Sequence, residues 1–96
     1  MPIAGSRSKS LTPDHAETLA LTALAFLAGR PDDFGRFLDI SGLDPATVKV
    51  RASEPAFLAS VLDFLLGDDT LLLDFCAAET IDAKSVHMAR HVLGGP

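Results

Sequence analysis

The sequence predicts an all-α chain, a compact bundle of about six helices, with an internal repeat that points to two pseudo-symmetric three-helix units. Three observations lead there. Capping residues and terminators alternate along the chain (Thr12 and Gly29, Asp44, Gly67 and Asp68, Asp82) at intervals suited to helices of two to four turns. The stretches between them carry apolar residues at helical spacing. Finally, a shift of 38 residues lays 16–52 over 54–90 without a gap, with seven identical pairs: Leu24/Leu62, Phe26/Phe64, Leu27/Leu65, Gly29/Gly67, Phe37/Phe75, Asp44/Asp82 and Val48/Val86.

Residues 1–11 are rich in Ser, Gly, Pro and basic residues and show no apolar period, so they are expected to form a flexible tail ahead of a single helical domain, 12–96. Thr12-Pro13 supplies an N-cap and a proline in the first turn, opening a helix that runs to Ala28 and closes at Gly29, a C′ residue that tolerates positive φ. Asp32 or Asp33 is expected to cap a second helix to about Ile40, closed by Gly42. Asp44-Pro45 opens a third to about Ala52, with Leu43 and Val48 set to staple its start. Alternation in 47–52 imitates a strand, but no second strand-like run exists to pair with it, so the helix is kept. Ser53-Glu54-Pro55 starts a fourth, to Leu66. Asp68 caps a fifth to about Ala78, and Asp82 a sixth from Ala83 to about Leu93, where Ile81 and Val86 repeat the staple.

The first and fourth helices are apolar on nearly every side, which predicts a central, buried position for both. Thr22 and Ser60 interrupt them at equivalent places, each able to donate its hydroxyl to the carbonyl four residues back. Leu19–Ala28 behind Arg7 and Lys9 imitates a secretory signal, yet its counterpart in 57–66 lies mid-chain and contains Asp63, so both are read as core.

Composition narrows the function. The net charge of −5 leaves an acidic body, poorly matched to a phosphate backbone, so nucleic acid is not expected as a ligand. No run is long enough to span a membrane. A single cysteine, Cys76, permits no internal disulfide and fits a reducing, cytoplasmic setting. Its apolar neighbours suggest a packing role rather than a nucleophile.

His87 and His91 stand at i and i+4, the spacing used by zinc helices, but Met88 occupies the place of the metalloprotease glutamate. At about 100° per residue, Val86, Ala89 and Leu93 form a core stripe from which both imidazoles point away. Most aspartates are accounted for by helix starts. Asp74 is different, being the repeat counterpart of Arg36, and the two are expected to meet where the halves join. There is no Gly-rich phosphate loop, no nucleophile elbow and no pair of acids with an obvious cleft. No catalytic residue and no cofactor is therefore assigned. Leu71, Leu72 and Leu73 cannot all face one core from one amphipathic helix, and they are read as a partner surface.

The segments 19–28, Arg36-Phe-Leu38, Ser41-Gly-Leu-Asp-Pro45 and 57–66, with Val61-Leu-Asp-Phe-Leu-Leu66 the most specific, resemble a small bacterial family known as domain of unknown function 3572. The resemblance spans Pro13 to Leu93 and implies a compact helical cytoplasmic protein; it carries no activity and no site residues. The resulting expectation is a non-enzymatic protein-interaction module that binds a protein partner or itself, with a small-ligand or metal sensor built on His87 and His91 as the alternative.

Overall fold

Proline opens four of the six helices found among the described residues. Its fixed φ suits the first turn, where its missing N–H has no acceptor to lose. A computed structural model describes residues 11–94, and within them every element is helical: α1 (Pro13–Ala28), α2 (Pro31–Ser41), α3 (Pro45–Arg51), α4 (Pro55–Leu66), α5 (Asp69–Glu79) and α6 (Ala83–Gly94). The strand-like alternation of 47–52 falls in α3. Of the expected tail, residues 1–10 lie outside the described residues, and Leu11 packs against the core.

Four starts are capped as expected. Thr12 accepts from the backbone N–H of His15, Asp44 from Thr47, Asp68 from Leu71 and Asp82 from Ser85. At Asp44 and Asp82 the hydroxyls of Thr47 and Ser85 also donate to the same carboxylate oxygen. The start of α2 corrects the expectation: Arg30 is the capping position and makes no side-chain cap bond, because Pro31 opens the helix earlier than Asp32 and Asp33 would. Asp32 and Asp33 both lie in its first turn, and Asp33 is released for ion pairing.

Helix ends divide into two kinds. Gly29 and Gly67 have φ of −84°, so both stay in right-handed space and the positive φ that glycine tolerates is not used. Left-handed residues occur instead at Gly42 (φ 72°) and Thr80 (φ 55°), which the 38-residue shift superposes. After each, the next residue's N–H closes a Schellman turn, Leu43 onto Leu38 and Ile81 onto Cys76. Thr80 is β-branched and exposed, so its left-handed backbone brings strain that no packing offsets. Thr80→Gly is expected to raise stability by about 1 kcal/mol, read as a higher urea midpoint with an unchanged slope. An unchanged or lower midpoint would contradict that reading of the turn.

The core is built by α1, α4 and α6, which pack on one another, while α2 lies on α1 and α5 lies mainly on α4. Ala16, Ala20 and Ala23 of α1 and Ala89 of α6 are fully buried. Side chains that small let helix backbones approach closely, and the larger Leu27, Leu58, Val61, Leu62, Leu65 and Val86 fill the remaining space. Val48 and Val86 are buried, with Leu43 and Ile81 packed on the same cluster.

Both long helices take the central position expected of them, but α1 is covered less completely than α4. Leu21 is 41% exposed, whereas its counterpart Ala59 is 5% exposed. α6 packs on both α1 and α4, whereas α3 has only seven residues and packs extensively on neither. The interrupting hydroxyls also differ. Thr22 donates four residues back to Thr18, but Ser60 donates three back to Phe57, at 2.6 Å.

Candidate functional site

Leucine burial corrects the expected partner surface first. Leu71 and Leu72 belong to the core, Leu72 being 7% exposed, and only Leu73 stands out at 64%. The buried side of α5 comprises Leu71, Leu72 and Phe75, and Leu73, about 100° beyond Leu72, falls on its solvent side.

His87 and His91 are both exposed on α6. Among the described residues no group of three or more His, Cys, Asp or Glu is arranged to hold a metal ion, so the structure brings no third ligand to this pair. Cys76 is half-buried against the core; burial, then the charge of Asp82, pushes its thiol above the ordinary value and keeps it protonated.

A concavity among the described residues lies elsewhere. One turn and a half of α2 (Arg36, Phe37, Ile40, Ser41) faces the second half of α4 (Ser60, Asp63, Phe64) and its cap Gly67, with Asp68 at the end, across a groove of about 520 Å³. Phe37, buried, forms the floor and meets Phe57 and Phe64 edge to face, with centroids 5.9 and 5.4 Å apart. Ile40 forms the lip and is 72% exposed. The two serine hydroxyls are engaged by the backbone, Ser41 donating to Phe37 and Ser60 to Phe57. Among the described residues no buried side-chain polar atom lacks a partner. The groove therefore offers apolar area rather than an unfilled hydrogen-bond demand.

Its rim is fixed by charge. Arg36 lies over the ring of Phe64 at 5.0 Å and donates to Asp33 and to Asp68, at 2.8 and 3.1 Å. Asp33 also accepts from Arg30, which lies over Phe26 and reaches Asp74 at 3.1 Å. Asp74, Arg30, Asp33, Arg36 and Asp68 thus form one chain of ion pairs joining α2 to α5. The expected meeting of Arg36 with Asp74 is corrected to a crossed arrangement, Arg36 with Asp68 and Arg30 with Asp74. α2 and α5 pass antiparallel here, so residues at equal positions are offset along the helices. The 38-residue shift exchanges these two ion pairs, and it likewise exchanges the ring contacts Phe64–Phe37 and Phe26–Phe75, the latter with centroids 5.3 Å apart. On the far side of the groove Arg90 of α6 donates to Asp63 at 2.6 Å.

Each pair is solvent-exposed, so its value lies in geometry more than in energy. Hydrogen bonds from Arg30 and then Arg36 hold the Asp33 carboxyl below its ordinary value of 3.8, and the Leu71 backbone N–H and then Arg36 do the same for Asp68. Lowered carboxylate values add stability above 3.8 that disappears as pH falls through the lowered values. Amide protection in α2 is expected to fall relative to α4 as pH is lowered from about 5 to about 2, in a hydrogen-exchange series. Equal loss in both helices would contradict a clasp that acts on α2.

No groove residue was read as part of a site: Phe37, Phe64 and Gly67 stood out as repeat matches, Ser60 as an interruption, Asp68 as a cap and Arg36 as the counterpart of Asp74. The available cue was Ile40, a large apolar residue at the edge of a short amphipathic helix, just before a left-handed glycine.

No helix of the described residues is long and apolar enough to cross a membrane. No curated protein and no solved structure matches the chain. A family described as "Protein of unknown function (DUF3572)" does match, over residues 13–96. The match takes in all six helices and every groove residue, and the chain belongs to that family.

Proposed function

We propose that the protein is a non-enzymatic interaction module of the cytoplasm, and that the α2–α4 groove is where it receives a segment of a protein partner. The observation that carries this is the groove itself: an aromatic floor of Phe37 and Phe64, an Ile40 lip left in the open, and hydroxyls already satisfied internally. Such a surface gains most from an apolar side chain, whose burial is worth about 25 cal/mol per Å². Asp63 and Asp68 border it, each holding one arginine, and a carboxylate has acceptor capacity for more than one donor. The fitting segment is a large apolar residue flanked by Lys or Arg.

Panning a random peptide library displayed on phage against the immobilised full chain tests this. Enriched sequences are expected to share an apolar residue next to Lys or Arg, and to be lost when the target is Ile40→Asp. No enrichment, or enrichment indifferent to Ile40→Asp, rejects the groove as a docking site. Circular dichroism of the variant supplies the control for folding, and a side chain this exposed leaves the core intact when changed.

A further inference from the structure

The chain itself carries a segment with the chemistry the groove selects. α3 ends in Lys49-Val50-Arg51, and Val50, 74% exposed, is even more open than Ile40. These two are the most exposed large apolar side chains among the described residues. Lys49 pairs with no carboxylate among the described residues, and Arg51 reaches only Glu54, at 3.5 Å with both side chains half in solvent. α3 is held to its own body by Val48 and by the Asp44 cap, and it packs extensively on no other helix. Its outer face is thus a basic, apolar knob with nothing on it.

Resting on the groove reading above, we infer that α3 of a second copy is the groove's occupant, in a twofold dimer: Val50 of each protomer enters the Phe37, Ile40 and Phe64 surface of the other, and Lys49 and Arg51 meet the carboxylates of Asp63 and Asp68. Charge complementarity supports this choice. α3 contains two cations and no acid, whereas the groove offers the carboxylates of Asp63 and Asp68, each held by a single arginine, Arg90 and Arg36, and each with acceptor capacity left. Continuity supports the closed form. Only Gly42, Leu43 and Asp44 separate the Ile40 end of α2 from α3, so knob and groove share one end of the molecule. A twofold interface requires a patch that holds both halves of the contact, and this one does.

Sedimentation equilibrium of the full chain, with Ile40→Asp, Val50→Asp and their equimolar mixture, tests the inference. The unmodified chain is expected to dimerise at concentrations up to about 1 mM, the weak end of specific association. Each variant is expected to weaken dimerisation at least about tenfold. The mixture is expected to recover part of it, because a Val50→Asp protomer keeps an intact groove for the intact α3 of an Ile40→Asp protomer. A monomer throughout, a dimer insensitive to both changes, or assembly that continues past the dimer overturns it. Peptides selected by panning through Ile40 would then still stand, leaving the groove to a different partner; failure of both experiments removes the groove reading as well.

Discussion

Leu72→Lys is expected to unfold the domain, whereas the same change one residue later, at Leu73, leaves stability within about 0.5 kcal/mol. Leu72 is a core side chain between helices and Leu73 is largely solvated. A lysine at position 72 must bury an unpaired ammonium or lose its proton, and either outcome costs several kcal/mol. Against a total stability of about 5–15 kcal/mol for a domain of this kind, that is enough to depopulate the native state. Urea titrations of the two variants, followed by circular dichroism, decide the matter. A folded Leu72→Lys protein with an unaltered midpoint would return this residue to the surface and undo the assignment of α5.

Phe37→Ala is the second large effect. The ring is buried and serves the core and the groove at once, touching Phe57 and Phe64 edge to face. Deleting a buried aromatic of this size costs about 3–5 kcal/mol, because the cavity left behind relaxes only partly. Phe75, its counterpart at the 38-residue shift, is fully buried against Phe26, so Phe75→Ala is expected to destabilise by a similar amount without touching the groove lining. Chemical denaturation of both variants checks the sizes. If Phe37→Ala proves much the milder of the two, the floor of the groove is not the supported surface described here.

Local chemistry made much of this architecture legible. Caps at Thr12, Asp44, Asp68 and Asp82 and terminators after Ala28, Ser41 and Leu66 mark element boundaries that depend on a few neighbouring residues. Where two local signals competed, the order was misread: Pro31 began α2 before Asp32 or Asp33 was reached, which left Asp33 to bridge two arginines. The left-handed turn at Thr80 was missed for a related reason, since a β-branched residue is a poor sign of positive φ.

What could not be read was how helices share neighbours. Three consecutive leucines announce that one must be exposed, but only the seat of α5 on α4 decides that it is Leu73. The charge inversion between Arg36 and Asp74 was visible, yet the crossed pairing with Asp68 and Arg30 needs the antiparallel passage of two helices. The groove is a property of the gap between α2 and α4, assembled from two stretches, 36–41 and 60–68, with α3 and the start of α4 between them in the chain. No run of sequence contains it.

The most direct test maps where a selected peptide sits. Amide and methyl spectra of the isotope-labelled full chain, titrated with a peptide enriched by panning, are expected to shift Ile40, Ser41, Ser60 and Phe64 in a saturable way while His87, His91 and the rest of α6's outer face stay still. Shifts confined to α6, or spread evenly over the molecule, would contradict a docking function centred on the groove.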